Sequence, residues 1–255
     1  MNENLRNFIL ELANNNMRID GRKGELRDIS VNYDISKNAE GSVEVIWGKT
    51  KLMVGTKMSI MTPFPDRPDD GIMMTGAEFC PISSPDFNPG PPNEHAIEFA
   101  RVIDRGIRES GMIDVKKLKV ADNKVWGVFI DIYVFNHDGN LIDAGALGVA
   151  AALMKTKIPK LNKDNEVLYG EWTNKKLPLT LTTTTTTVTK IGEKIIQDAT
   201  KEEEEVADAR MTFSVSDTKI HGAQKGGEGL FTQEEILKAA DIAFNQRKQL
   251  LKVLE

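Results

Sequence analysis

The stretch Pro89-Gly90-Pro91-Pro92 sets the strongest local constraint on how this chain can fold. Proline fixes φ and lacks a backbone N–H, so neither a helix interior nor a central strand passes through such a cluster. Whatever precedes it must end, and a helix is expected to begin with proline near its first turn. Beyond it, Phe99, Val102, Ile103, Gly106 and Ile107 recur at the spacing of one buried helix face. Arg101 and Arg105 then lie one turn apart on the opposite, exposed side. Like charges at that spacing repel by about 0.2–0.5 kcal/mol. A pair tolerated at that cost points to an external anion.

Composition narrows the choice of anion. The 255 residues are 40% hydrophobic, enough to bury the core of one large domain or two small ones. With 38 acidic against 33 basic side chains the formal net charge is −5, which excludes a general positive field for coating nucleic acid. Contact with RNA or DNA must therefore be local or be completed by a partner. Cys80 is the only cysteine, so a disulfide framework and a cysteine zinc site are excluded, and a reducing compartment fits. Set in an apolar run before Pro81, Cys80 reads as a small buried hydrophobe rather than a reactive thiol. No segment approaches the ~18–20 uninterrupted apolar residues of a membrane span. Residues 1–18 read as an amphipathic helix with Leu5, Phe8, Ile9 and Leu12 on one side, and lack the basic start and apolar core of a signal peptide. A cytoplasmic chain without membrane contact is expected.

Residue patterns predict a strand at 29–34 and a hairpin of 42–47 with 51–60 through Gly48-Lys49, then a strand near 71–80. Pro63, Pro65 and Pro68 make 62–71 an exposed loop. Alternation of Trp126, Val128, Ile130, Ile132 and Val134 predicts a strand over 124–135, and Asp138-Gly139 after it signals a hairpin turn. Residues 143–154, almost wholly Ala, Gly, Leu and Val, read as a helix buried on most sides. A polar linker is expected at 160–165. The threonine run 182–187 looks like low complexity, but β-branched residues followed by Val188 and Ile191 favour a strand over 179–189. The acidic run 202–205 suits the start of a short helix. Strands are expected at 210–215 and 219–224, and Thr232 with Glu235 forms a capping box that opens a long final helix. The order of strands and helices argues for a mixed α/β (α+β) fold with two similar halves.

Familiar site chemistry is absent. No glycine-rich phosphate loop ends in Lys-Ser/Thr, and no paired-histidine metal motif occurs. His95, His137 and His221 are scattered in polar settings that suit surface positions. His137, Asp138 and Asp143 could be imagined to converge on a metal, but they fit no calcium-loop spacing, and no metal site is expected. Gly226-Gly227-Glu228-Gly229 reads as a turn ahead of the last helix, and Glu202 to Glu205 with Asp208 as a solvated helix face. Composition and motif rules thus reach a mixed α/β protein with a cationic helix face, and no function.

Three stretches taken together resemble the RNase PH family of phosphate-dependent exoribonucleases. The first is Arg18-Ile19-Asp20-Gly21-Arg22-Lys23 with Glu25-Leu26-Arg27. The second is Ala39-Glu40-Gly41-Ser42 leading into the strand that ends at Trp47-Gly48. The third is Pro89-Gly90-Pro91-Pro92 with Ala96-Ile97-Glu98 and the Arg101 helix. Val125-Trp126-Gly127-Val128, Asp131-Ile132-Tyr133-Val134 and Asp138-Gly139-Asn140 extend the likeness to the family's non-catalytic branch in the archaeal exosome. The resemblance implies an RNase PH-like fold: an N-terminal helix in 1–17, then one domain over 18–255 made of two similar sheet-and-helix halves, 18–157 and 158–255.

Active members of the family carry paired arginines where this chain has Glu94-His95, and a Gly-Ser-Arg-Thr turn where it has Gly139-Asn140-Leu141-Ile142. They also use two aspartates spaced like Glu202 and Asp208; Asp208 matches the second and is expected to be structural. Phosphorolysis must hold an attacking phosphate beside another phosphate, two anions that repel each other, and that cradle is missing here. The resemblance therefore implies no catalytic residues and a silent subunit of a phosphorolytic 3′-to-5′ RNA-degrading exosome. It would pair with an active RNase PH-like subunit as three heterodimers in a hexameric ring, beneath trimeric RNA-binding cap proteins. It implies RNA-phosphate contacts from Arg101 and Arg105, and weaker candidates in Arg108, which can pair with Asp104, and in Arg67 of the proline-rich loop. In a purely structural alternative, Glu98 pairs with Arg101. No cofactor is implied for this chain, and inorganic phosphate is the co-substrate at the partner's site. Two other readings stay open: a self-sufficient phosphate-dependent exoribonuclease, and an architectural ring subunit without RNA contact.

Overall fold

Two sheets enclose one helix. The computed structural model describes residues 3–255, so Met1 and Asn2, the start of the first expected helix, lie outside the described residues. Helix α1 (Glu3–Asn14) is followed by β1 (Ile29–Tyr33), β2 (Gly41–Trp47), β3 (Thr50–Met61), β4 (Ile72–Phe79) and α2 (Glu94–Ser110). Then come β5 (Lys119–Ala121), β6 (Lys124–Asn136), α3 (Leu141–Lys155), β7 (Lys157–Leu161) and β8 (Val167–Lys176). The chain closes with β9 (Thr184–Ile191), β10 (Lys194–Gln197), α4 (Lys201–Glu205), β11 (Ala209–Val215), β12 (Ile220–Gly227) and α5 (Gln233–Leu254). The first sheet runs β1-β2-β3-β6-β4 with β5 beside β6, and only β4 lies parallel to its neighbour. The second runs β10-β9-β11-β12 and is antiparallel throughout.

Helix α3 is apolar on all sides because it has a sheet on each: it packs on β2 and β3 and, across the molecule, on β9. Its residues from Ala144 to Leu153 are all buried, and with Val43, Val45, Leu52, Ile130 and Ile132 they form the main core. The threonine run supplies β9 from Thr184 onward, and every residue from Thr183 to Thr187 is buried. Burial is tolerable because cross-strand partners satisfy some of the hydroxyls: Thr185 meets Ser214 at 3.0 Å and Thr187 meets Thr212 at 2.9 Å.

Several expectations are corrected. Asp138-Gly139 does not close a hairpin; it carries the chain from β6 directly into α3, because helix-forming Ala and Leu follow where a second strand would be needed. Gly139 is required there on two counts, a φ of +85° and a Cβ position 2.3 Å from the Ala199 carbonyl oxygen. The polar stretch 160–165 is not a plain linker but spans the end of β7 and the turn of the β7–β8 hairpin. The prolines at 91 and 92 precede α2 rather than opening it, and Asn93 is the cap, its side chain accepting the Ala96 N–H at 2.9 Å.

The two sheets are also tied by charge. Asp198, fully buried with φ of 51°, accepts from the Arg27 backbone N–H at 2.7 Å, Arg27 Nη2 at 2.6 Å, Arg22 Nη1 at 2.8 Å and Asn140 Nδ2 at 3.1 Å. Nearby, Arg18 Nε donates to the buried Glu203 carboxylate at 2.6 Å. Burial alone would raise the Asp198 carboxyl, but its hydrogen bonds from Arg27 outweigh that and hold it below the usual carboxylate range. Its stabilising contribution is therefore present above the ordinary carboxylate pKa and is lost as pH falls through the lowered folded value. Removing one partner of a buried ion pair costs about 3–5 kcal/mol. Asp198→Ala is accordingly expected to lower the urea midpoint steeply, and a variant as stable as the parent would show that the clamp contributes nothing.

Candidate nucleic-acid interface and the cleft beside it

Helix α2 is pressed against the second sheet. A Cβ on Gly106 would meet Ser214 Oγ of β11 at 2.5 Å, so a larger residue here would have to displace that hydroxyl, which is hydrogen-bonded to Thr185. Phe99, Ile103 and Ile107 are buried in the main core, where α2 also packs on β4 and α3, and Gly111 ends the helix in the left-handed conformation with φ of 64°. The outer face carries Arg101 and Arg105, both exposed. Neither makes an ion pair or hydrogen bond among the described residues, whereas Arg6, Arg18, Arg22, Arg27, Arg67, Arg108, Arg210 and Arg247 all have a carboxylate partner.

Glu98 does not pair with Arg101; it takes Arg210 Nη2 at 2.6 Å, because it points along the helix flank toward β11. Arg108 is held by Asp104 at 2.9 Å and by the Met73 carbonyl at 2.9 Å. Arg67 is exposed in the loop, 3.8 Å from Asp66, and shares a cavity of about 200 Å³ with Arg108. The four sequence candidates thus separate into two unpaired arginines on α2, Arg101 and Arg105, and a second pair beside the Arg67 loop, in which Arg108 is held closely by Asp104 and Arg67 only loosely by Asp66.

Beside α2 lies a cleft of about 360 Å³, walled by Phe79, Phe87 and Phe99 and by the starts of α3 and α4. Its charged lining is four carboxylates, Asp86, Glu98, Glu204 and Glu205, against two cations, Lys201 and Arg210. Both cations are already neutralised, Lys201 by Asp86 at 2.6 Å and Arg210 by Glu98 at 2.6 Å. The first N–H groups of α3 would ordinarily attract an anion. Asn140, in the left-handed region, gives no side-chain cap, and the Glu204 carboxylate accepts its N–H at 2.8 Å instead. Burial pushes the Glu204 carboxyl up to about 7. His137 stacks on Phe87 with centroids 5.7 Å apart, and burial, then the Lys201 charge, lower it to about 4, so it stays neutral.

The imagined metal trio does not assemble. Asp138 is taken by Arg27, and Asp143 is fully buried, accepting the Thr187 N–H at 3.0 Å. Among the described residues no cluster of His, Cys, Asp and Glu has ligating geometry. The expected carboxylate pair is also displaced in register. Glu202 is exposed, and Asp208 is bound to Arg6 at 2.8 Å and to the Gly192 N–H at 2.7 Å. The residues at the same spacing that face the cleft are Glu204 and Arg210. In a run of four glutamates, sequence spacing alone gave no means of choosing the register.

The description "3′ exoribonuclease family, domain 1" of the RNase PH family matches residues 25–159, and "domain 2" matches residues 183–246. This chain belongs to the RNase PH family. The exosome complex component Rrp42 of Methanothermobacter thermautotrophicus is 42% identical over 254 residues, covering 98% of this chain and 94% of that protein. The Rrp42 component of Thermococcus gammatolerans is 45% identical, covering 98% and 93%. Among solved structures, a chain of the Archaeoglobus fulgidus exosome with RNA bound to the active site superposes with a TM-score of 0.91 at 38% identity, covering 99% of this chain and 98% of that one. Rice Rrp46 shares the fold, with a TM-score of 0.70 at 15% identity. The RNase PH assignment covers the Arg18–Arg27 segment only from Glu25, yet that segment supplies the arginines of the Asp198 clamp.

Asp143 gives this RNase PH chain a measurable pH signature. Burial raises its carboxyl to about 7, opposed by the Thr187 N–H. A carboxyl raised on folding binds more protons in the native state, so its contribution is full below the unfolded pKa and is lost as pH rises through about 7. Asp143→Asn is expected to match the parent in Tm near pH 4 and to exceed it by roughly 5 °C or more at pH 8. Parallel Tm–pH curves would remove Asp143 as the cause.

Proposed function

We propose that this chain is a non-catalytic subunit of an exosome ring that degrades RNA by phosphorolysis. In this reading it pairs with an active RNase PH-like subunit, shapes that subunit's active-site edge and holds substrate phosphates. The observation that carries the reading is the cleft beside α2, where carboxylates outnumber cations and both cations are internally paired. A phosphorolytic site must bring together inorganic phosphate and an RNA phosphate, two anions whose repulsion only unpaired cations and N–H donors offset. Here Glu204 occupies the N–H at the start of α3. Similarity to two Rrp42 components and to an exosome chain from a structure with bound RNA supports the assembly.

Arg101 and Arg105 are the substrate-contact residues of this reading. They are unpaired, exposed and mounted on a helix fixed by Gly106. The planar guanidinium fork engages phosphate oxygens bidentately, and a local pair suffices where the whole chain is acidic. Arg108 and Arg67 are subsidiary, the first because Asp104 competes for it. The subunit needs no cofactor of its own, uses phosphate only through its partner, works beneath trimeric RNA-binding caps, and resides in the cytoplasm.

Two measurements test this. Purified chain incubated with RNA and inorganic phosphate is expected to release no nucleoside diphosphate, while the complex with the active partner does; release by the chain alone would establish a self-sufficient enzyme. In the assembled complex, replacing Arg101 and Arg105 with Ala is expected to weaken RNA binding about tenfold and to reduce the log–log salt slope by about 1.4, at 0.7 per single-strand phosphate contact. Unchanged affinity and slope would leave the chain an architectural ring member.

A further inference from the structure

The β7–β8 hairpin stands apart from both sheets as a two-stranded ribbon. Its register sets Lys157 directly opposite Lys176. Like charges facing each other across an antiparallel pair are destabilising, and neither lysine has a carboxylate partner among the described residues. The neighbouring Lys155 is also without one. In place of counter-ions, two of these three cations lie over rings: Lys155 Nζ is 4.6 Å from the Tyr33 ring centre and Lys157 Nζ is 5.9 Å from that of Trp172. A third ring, Tyr169, is 70% exposed with Lys57 Nζ 5.1 Å from its centre.

The backbone explains how Tyr169 comes to be exposed. Pro159 pairs with Trp172 while the next residue, Lys160, pairs with Leu168, so Tyr169, Gly170 and Glu171 bulge out of β8 without partners. Gly170, with φ of 83°, permits the excursion. Bulges of this kind re-aim a side chain, and this one presents an aromatic face to solvent on the same hairpin as the unneutralised Lys157 and Lys176, while the lysine over that ring, Lys57, is paired with Glu40 at 2.9 Å. Point charges for a backbone interleaved with a sequence-tolerant stacking surface are what single-stranded nucleic acid binding uses. An acidic protein segment would need the charges but not the projecting ring.

We propose that the β7–β8 hairpin is a second surface for single-stranded RNA, separate from α2, with Lys155, Lys157 and Lys176 on phosphates and Tyr169 stacking on a base. The inference rests on RNA being this chain's ligand, and its test separates the two. Binding of a short fluorescent oligoadenylate to the full chain, alone and in the ring complex, is measured by anisotropy across a salt series. Lys157→Glu with Lys176→Glu is expected to weaken binding about tenfold and to reduce the salt slope by about 1.4. Tyr169→Ala is expected to weaken it about fivefold or more without changing the slope. Should charge reversal lower Tm, Lys157→Gln with Lys176→Gln replaces it and should lose the same slope.

Unchanged binding in the hairpin variants, with loss in the Arg101 and Arg105 variant, would overturn this proposal and leave the α2 assignment standing. Loss confined to the hairpin variants would uphold it and remove α2 from the contact. Displacement of the oligonucleotide by polyglutamate at equal charge, with no effect of Tyr169→Ala, would assign the hairpin to an acidic protein segment and overturn the RNA reading.

Discussion

The arrangement depends on the buried carboxylate of Asp198. It gathers Arg22 and Arg27 from the segment before the first sheet, Asn140 from the start of α3, and holds them at the end of β10 in the second sheet. An isolated carboxylate at that depth would be driven to its neutral, protonated form. Multiple charge-assisted hydrogen bonds make it a fixed point instead. Because Asn140 also begins α3, the same fixed point sets where that helix starts, and hence where its first N–H meets Glu204. Packing of α3 between the sheets supplies most of the burial, while the clamp sets the register of the parts that surround the cleft.

Helix α2 divides its work between its two sides. The inner side is committed to close contact through Gly106, with Phe99 and Ile103 in the main core. The flank is spent on internal pairs, Glu98 with Arg210 and Asp104 with Arg108. Of the α2 arginines, only the outermost two, Arg101 and Arg105, retain uncommitted charge. The hairpin repeats this pattern by other means, since Lys155 and Lys157 lie over rings rather than beside carboxylates. In both places the cations stay available because the chain gives them no internal anion.

Local patterns made most elements legible. Period-two alternation located β6, helical spacing located the buried side of α2, and the Thr232–Glu235 box located the start of α5. The errors fall where local chemistry was overruled from a distance. Asp138-Gly139 carries turn chemistry, but the adjoining backbone at Ala199 and the helix-forming residues after it decide what the turn connects. The partners of Arg22 and Arg27 stand on the far side of the chain in sequence, so no spacing rule reaches Asp198. Glu204 and Arg210 were hidden by an acidic run in which neighbouring registers look alike. The unneutralised state of Arg101 and Arg105 was legible only as a repulsion; that Glu98 turns away from them needed the fold.

The capping of α3 by Glu204 bears on how readily such a cleft could change its role. An anion can occupy that N–H only after Glu204 leaves, and removal of a helix cap costs about 1 kcal/mol. It would also need a free cation, yet Arg210 is taken by Glu98 and Lys201 by Asp86. Anion binding would therefore need changes at several neighbouring positions, whose effects are not additive. The cleft behaves as a ratchet: its present electrostatics are held by mutually supporting pairs, and a drift back toward anion binding would require several of them to change together.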